Sequence, residues 1–188
     1  MSVQDLSAVV AELGGVLQDV DEASVRALEE EIGRAARVYV AGAGRSGLMM
    51  RAFAMRLMHL GLRVHVVGDV TTPAIEAGDL LVIGSGSGET ESLRAMANKA
   101  RKLGAALALV TIVPTSSIAR LAGTIVRLDA PSPKAAPVPG TVTRTSIQIM
   151  GTLFEQALLV LLDTVVLRLA RSRRLSPEKL FEIHANLE

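Results

Sequence analysis

Two stretches decide the fold of this chain: Val38-Tyr-Val-Ala-Gly-Ala-Gly-Arg-Ser-Gly47 and Leu80-Leu-Val-Ile-Gly-Ser-Gly-Ser-Gly-Glu-Thr90. Each is a short apolar run, followed by a loop rich in glycine and hydroxyl groups that leads into a helix-like stretch. Apolar runs of this length are typical of buried parallel strands, and a loop before a helix N-terminus directs N–H groups at an anion. Two such loops predict a ligand that carries a phosphate group.

Further apolar runs alternate with helix-like segments along the chain. The predicted strands are residues 38–41, 64–67, 80–83, 107–111 and 125–128, and the helices between them are 48–60, 91–103 and a short one at 117–122. Continuously apolar strands that alternate with helices indicate a parallel sheet covered on both faces. The sequence therefore predicts an α/β fold: a doubly wound five-stranded parallel sheet with helices on both faces.

Helices are also predicted on either side of this region. Ser2-Val-Gln-Asp5 resembles a capping box, and Asp21 suits the N-cap of a second helix that runs to about residue 36. After a proline-rich loop at 130–148, a long helix is predicted over 150–171, and Ser176-Pro177-Glu178 predicts the start of a last short helix. We expect one domain, residues 1–188, with an N-terminal helical extension (1–36), a sheet core and long helix (37–171), and a C-terminal helix and tail (172–188).

Composition restricts the class of function. The net charge is +1, and one tyrosine with three phenylalanines offers little surface for base stacking, so we expect no nucleic-acid partner. No cysteine is present to bind a metal or form a disulfide. The most apolar stretch, 157–170, contains Asp163 and Arg168 and is too short for a bilayer span, so no membrane partner is expected. The N-terminus lacks a secretion-signal pattern, and we expect a cytoplasmic protein.

The first loop has two interpretations. Gly42-Ala-Gly-Arg-Ser-Gly47 also fits the G-x-G-x-x-G pattern of dinucleotide-binding folds, and Asp69 has the spacing of the acid that holds a ribose. A dinucleotide-dependent oxidoreductase is therefore one alternative. Two observations weaken it: Ser46 places a hydroxyl where the loop enters the helix, which suits a single phosphate group, and the second loop would have no role.

The second loop concentrates hydroxyl groups before a helix. The residues expected to bind the substrate there are Ser85, Gly86, Ser87, Gly88, Glu89 and Thr90. Their hydroxyls can donate to phosphate oxygens, the glycines leave backbone N–H groups accessible, and the helix dipole favours negative charge. The alternative is a tight turn in which Ser87 caps the next helix. Glu89 is either a second acid or a group that orients the loop, and without a G-K-[ST] pattern a P-loop nucleotide site is unsupported.

At these loops the chain resembles the SIS (sugar isomerase) domain family, whose members bind phosphosugars on a doubly wound parallel sheet. From about residue 38 to the C-terminus it looks most like the 6-phospho-3-hexuloisomerase family within that group. The matching segments are Gly42-Ala-Gly-Arg-Ser-Gly-Leu48, Phe53-Ala-Met-Arg-Leu-Met-His-Leu-Gly61, Ile83-Gly-Ser-Gly-Ser-Gly-Glu-Thr90, Gly151-Thr-Leu-Phe-Glu-Gln156 and His184-Ala-Asn-Leu-Glu188. Gln148-Ile149-Met150 departs from the Gln-Pro-Met expected in this family, which affects how the loop enters the long helix.

The resemblance implies a reaction and an assembly. The reaction interconverts D-arabino-hex-3-ulose 6-phosphate and fructose 6-phosphate through an enediol, the second step of formaldehyde fixation in the ribulose monophosphate pathway. The assembly is a homotetramer with active sites near subunit boundaries. Two alternatives remain open: an isomerase for another phosphosugar such as arabinose 5-phosphate, and a non-catalytic phosphosugar-binding regulator, which usually carries an added domain that this chain is not expected to contain.

The reaction needs a base that moves a proton between C2 and C3 and a group that moves protons between the two oxygens; neither step requires a metal or another cofactor, and none is expected. Glu155 falls on the family's proposed proton acceptor, although its position alone favours an ordinary acid that stabilises a helix N-terminus. His184, reaching a neighbouring subunit's site, and His59 are the candidates for the oxygen shuttle. Arg45 either strengthens the field at the phosphate or points into solvent.

Overall fold

The computed structural model describes residues 3–133 and 145–184. Its elements are α1 (Val3–Gln18), α2 (Glu22–Arg34), β1 (Val38–Gly42), α3 (Gly44–His59), β2 (Val64–Val66), β3 (Leu80–Gly84), α4 (Glu91–Lys102), β4 (Ala106–Thr111), β5 (Thr124–Arg127), α5 (Thr152–Ser172) and α6 (Pro177–Phe181). Where a short helix was predicted over 117–122, only a single 3-10 turn forms, Ala119–Leu121. Three predicted features lie outside the described residues in whole or in part: Ser2 of the capping box, 134–144 of the proline-rich loop, and 185–188.

The five strands form one parallel sheet in the order β2-β1-β3-β4-β5, which confirms the predicted doubly wound sheet. The chain passes from β1 out to β2 and then returns past β1 to β3, so the direction of winding reverses between β1 and β3. Ligands of such sheets bind at the carboxyl ends of the two strands beside the reversal. β1 and β3 pair in register from Val38 with Leu80 to Gly42 with Gly84, so the loops that follow them lie side by side.

Helices cover both faces of the sheet, which explains why the strands are apolar throughout. α2, α3 and α5 pack on one face, with α1 against α5, and α4 with the 3-10 turn covers the other. Val40 and Val82 are buried on the first face, whereas Tyr39 and Leu81 are buried on the second. Neither side of these central strands faces water, as is usual for parallel sheets.

Two helix caps are confirmed, but α3 begins earlier than predicted. Asp21 caps α2 through its carboxylate, and Ser176 caps α6 through its hydroxyl. The first residue of α3 is Gly44 rather than residue 48. Because the loop glycines allow the helix to start directly against the end of β1, the residues of the first loop form the first turn of α3.

At the amino ends of the central strands, away from the glycine-rich loops, an ion pair joins the start of β1 to the start of β3. Arg37 donates from Nε to Asp79 Oδ1 at 3.0 Å and from Nη2 to Asp79 Oδ2 at 2.7 Å. Asp79 is buried, and burial by itself raises the pKa of its carboxyl group. Hydrogen bonds from Arg37 and from the N–H of Glu76 outweigh this effect and hold the pKa below its ordinary value. The pair fixes the two central strands at the edge away from the loops.

Candidate functional site

A cavity of about 310 Å³ opens at the carboxyl ends of β1 and β3, at the reversal of the sheet. Its walls come from both glycine-rich loops, from the start of α5 and from a short part of the proline-rich loop. It is lined by Ala43, Gly44, Arg45, Ser46, Gly84, Ser85, Gly86, Ser87, Thr90, Leu93, Ser132, Pro133, Met150, Gly151, Phe154 and Glu155. The structure thus brings together Ser46, most of the second loop and Glu155.

The first loop needs glycine because helix and strand approach very closely. A Cβ on Gly47 would lie 2.7 Å from the carbonyl oxygen of Gly42, a distance that side-chain carbons do not adopt. Gly44 has a φ of +55°, in the left-handed region that favours glycine. These two positions bring the first turn of α3, with Arg45 and Ser46, to the cavity wall.

In the second loop, Ser85, Ser87 and Thr90 line the cavity. Ser85 Oγ accepts a hydrogen bond from the N–H of Gly88 at 3.2 Å, and Ser87 Oγ accepts one from the N–H of Glu89 at 3.2 Å. The helix α4 begins after Thr90, not after Ser87, so the interpretation of Ser87 as the helix cap is wrong. Both serine hydroxyls shape the turn, and both residues line the cavity.

Gly88 and Glu89 do not line the cavity but hold the loop against residues 116–117. Gly88 has a φ of +61°, and a Cβ there would lie 2.0 Å from Ser116 Oγ. The carboxylate of Glu89 accepts a hydrogen bond from the N–H of Ser117 at 2.6 Å. Hydrogen bonds from Ser117 lower the pKa of Glu89, so its carboxyl group is ionised at neutral pH. Of the two interpretations of Glu89, this geometry favours loop orientation.

Three helices begin at the cavity, and no described side chain caps the first turn of α3, α4 or α5. By contrast, α2 and α6, which begin elsewhere, are capped by Asp21 and Ser176. The first N–H groups of a helix have no partner within the helix, and its dipole is positive there. Convergence of three such ends makes the cavity favourable for an anion.

Glu155 lies at the wall of the cavity and is paired with Arg45. Arg45 Nη1 is 3.1 Å from Glu155 Oε2 and also donates to Thr152 Oγ1 at 3.1 Å. The Glu155 side chain is 16% exposed and that of Arg45 is 55% exposed. Arg45 is therefore paired with the candidate base, although more than half of its side chain is exposed to solvent. The sequence did not identify Thr152, although it lies within the segment Gly151–Gln156 that carries the family resemblance.

His59 and His184 lie together at the other end of α3. Their rings stack with centroids 5.3 Å apart and planes 15° from parallel. Because α3 begins at the cavity and His59 is its last residue, the helix rise puts this histidine roughly 22 Å from the cavity. Burial lowers the pKa of His59, and the charges of Arg56 and His184 lower it further. Neither histidine is among the residues that line the cavity.

Asp69, the acid that the dinucleotide alternative requires for the ribose, is paired with an arginine. Asp69 Oδ1 forms an ion pair with Arg51 Nη2 at 2.8 Å. Within residues 3–133 and 145–184, no cluster of three or more His, Asp or Glu side chains is arranged to hold a metal ion. Across the same described ranges, the helices are too short or too polar to cross a bilayer.

Several known proteins with similar sequences are named as isomerases. A protein of Bacillus subtilis (strain 168) named 3-hexulose-6-phosphate isomerase is 49% identical, over 81% of this chain and 80% of its own length. One of the same name from Mycobacterium gastri is 45% identical over 98% of this chain and 90% of its own. A solved structure from Methanococcus jannaschii, from which a function of 3-hexulose-6-phosphate isomerase was inferred, superposes with a TM-score of 0.83 at 31% identity, covering 98% of this chain and 99% of that one. The SIS domain profile matches residues 31–159. The chain belongs to the SIS domain family.

Proposed function

We propose that this protein is a phosphosugar isomerase that interconverts D-arabino-hex-3-ulose 6-phosphate and fructose 6-phosphate. The observation that carries the proposal is the meeting of an anion-binding surface and a carboxylate, Glu155, in one cavity. The surface is suited to the phosphate of the substrate and the carboxylate to proton transfer on its carbon chain. The names of the relatives at 45–49% identity support the same reaction.

The phosphate is bound by the second loop and the uncapped helix ends. Three hydroxyl-bearing residues line the cavity: Thr90 at the N-cap of α4, Ser87 before it, and Ser46 in the first turn of α3. A hydrogen bond to a charged group contributes about 1.5–3 kcal/mol, so a few of them suffice to hold the phosphate while the rest of the sugar reaches Glu155.

Glu155 transfers the carbon-bound proton. As base it takes the proton from C2 of the 3-ketose, and the C–H electrons form the C2–C3 double bond of an enediol. O3 gains a proton as the enediol forms. The same carboxylic acid then returns the carbon-bound proton to C3, and O2 loses its hydroxyl proton as the C2 carbonyl forms. Arg45 fixes the direction of the carboxylate through the 3.1 Å ion pair. Because one side chain moves the proton between both carbons, this proton transfer needs no cofactor.

The oxygen-bound protons are moved by a histidine of a neighbouring subunit. Since His59 and His184 lie at the far end of α3, they meet a cavity only across a subunit boundary. His59 has a lowered pKa and is therefore neutral at pH 7, the state in which an imidazole can both accept and donate a proton.

The assembly is a cytoplasmic homotetramer. Apolar side chains on the outer sides of two helices support association between subunits, because exposed apolar surface favours burial against a partner. These side chains are Val3, Leu6 and Val10 of α1 and Val160 and Leu167 of α5.

A coupled assay tests the proposal. The purified protein is supplied with D-arabino-hex-3-ulose 6-phosphate after exhaustive chelation and without nicotinamide, and formation of fructose 6-phosphate is followed. We expect turnover under these conditions and at least a hundredfold lower kcat/KM with arabinose 5-phosphate, since a specific site discriminates by lost contacts. Turnover of arabinose 5-phosphate alone, or none with either sugar, would contradict the proposal.

A further inference from the structure

Glu12, in the middle of α1, anchors the segment that leads into α5. Its Oε1 accepts a hydrogen bond from the N–H of Ile147 at 2.8 Å. Its Oε2 accepts from Ser146 Oγ at 2.7 Å and from Gln148 Nε2 at 3.1 Å. One carboxylate thus holds three consecutive residues of the stretch 145–150, called the α5 entry segment below.

Apolar packing contributes little to holding the α5 entry segment in place. The side chains of Ile147, Ile149 and Met150 are 63%, 78% and 62% exposed. Met150 also has a φ of +56°, a conformation that non-glycine residues keep only when their surroundings impose it. The polar contacts with Glu12 are therefore the main restraint on this segment among the described residues.

Polar contacts continue from the entry segment to the candidate base. The carbonyl oxygen of Ile149 accepts a hydrogen bond from Thr152 Oγ1 at 2.7 Å. The same hydroxyl accepts one from Arg45 Nη1, which in turn lies 3.1 Å from Glu155 Oε2. The carboxylate of Glu155 is thus tied, through the entry segment, to a helix that does not line the cavity.

We propose that Glu12 is a positioning residue that fixes the direction of the Glu155 carboxylate. This inference rests on the proposed function, in which Glu155 moves the carbon-bound proton. Without Glu12 the entry segment shifts, and with it the Ile149 carbonyl and the Thr152 hydroxyl that orient Arg45. A displacement of about 1 Å at a reacting group can lower the rate on the order of a hundredfold. The two glycine-rich loops follow β1 and β3 and are fixed by the sheet, so we expect substrate binding to be retained.

The test compares Glu12→Ala, Glu12→Gln and the control Asp5→Ala, which removes an exposed carboxylate from the same helix. We expect Glu12→Ala to lower kcat by about 10- to 100-fold while KM changes less than about twofold. Glu12→Gln keeps an oxygen for the N–H of Ile147 and should stay within about threefold of wild type. Amide hydrogen exchange of the peptide over 145–156 should accelerate in Glu12→Ala alone.

The outcomes separate this inference from the proposed function. A wild-type protein without isomerase activity overturns the proposed function, and the inference with it. An active wild type with unchanged kcat in Glu12→Ala overturns the inference alone. So does a loss of kcat that Asp5→Ala shares, because removal of any charge from α1 would then be enough.

Discussion

Alanine at Gly88 should disrupt the second loop without changing any group that touches the substrate. The left-handed backbone at φ +61° costs an L-residue about 1–2 kcal/mol. The new Cβ would also lie 2.0 Å from Ser116 Oγ and 2.6 Å from Ser116 Cβ, and the second atom cannot rotate away. Overpacking of this kind costs about 1–3 kcal/mol, so the total loss is about 2–5 kcal/mol. For a chain of 188 residues this lowers Tm by about 4–20 °C.

Thermal unfolding and steady-state kinetics measure the two consequences together. The displaced loop should also raise KM for the phosphosugar, because Ser85 Oγ loses its contact with the N–H of Gly88. Gly33→Ala is the matched control, since a Cβ at this position of α2 meets nothing within 4 Å and alanine favours helix. A Gly88→Ala protein that melts within about 2 °C of wild type with an unchanged KM would refute the reasoning.

Three further predictions follow from the geometry. Ser87→Ala and Thr90→Ala should each raise KM about 10-fold or more while Tm falls only modestly, because each removes a hydrogen bond to a charged phosphate; a large loss of Tm at unchanged KM would show a purely structural turn. Asp79→Asn should lower the free energy of unfolding at pH 7 by on the order of 3 kcal/mol. Because the folded-state pKa of Asp79 is lowered, its contribution to stability is present above about pH 4 and is lost as the pH falls further. Below about pH 4, the free energy of unfolding of the variant, measured in urea titrations, should therefore change less with pH than that of wild type. Inactive Glu155→Gln and His184→Ala subunits, refolded together, should regain about a quarter of wild-type activity if each site combines two chains, and a mixture that stays inactive contradicts the shared site.

The sheet and the position of the site could be predicted from short stretches of sequence. The apolar runs at β1 and β3 are buried on both faces, and a strand buried in this way can be recognised in the sequence as a continuous apolar run. The loops follow directly from those strands, so their proximity needs only the parallel pairing of Val38 with Leu80. Start points were less accurate: Gly44 begins α3 four residues before the predicted start, because glycine loops and first helical turns have similar compositions.

Contacts between distant parts of the chain could not be predicted in this way. The pair of Arg45 and Glu155 joins α3 to α5, and the contact of Glu12 with Ile147 spans 135 positions. Neither pair has a local spacing that marks it, since each depends on how helices pack on the sheet. The same holds for His59 and His184, which share a cluster at the opposite end of α3 from the cavity.

The central claim is that Glu155 moves the carbon-bound proton, and isomerisation in D₂O by wild type and Glu155→Gln tests it most directly. Glutamine keeps the shape of the side chain but cannot act as the base. We predict that wild type incorporates deuterium at C2 or C3 of the sugar, and that in the variant kcat and deuterium incorporation fall in parallel by about 10²–10⁴-fold, with little change in KM. A variant that retains more than about a tenth of wild-type kcat, with deuterium still entering the sugar, would contradict the account.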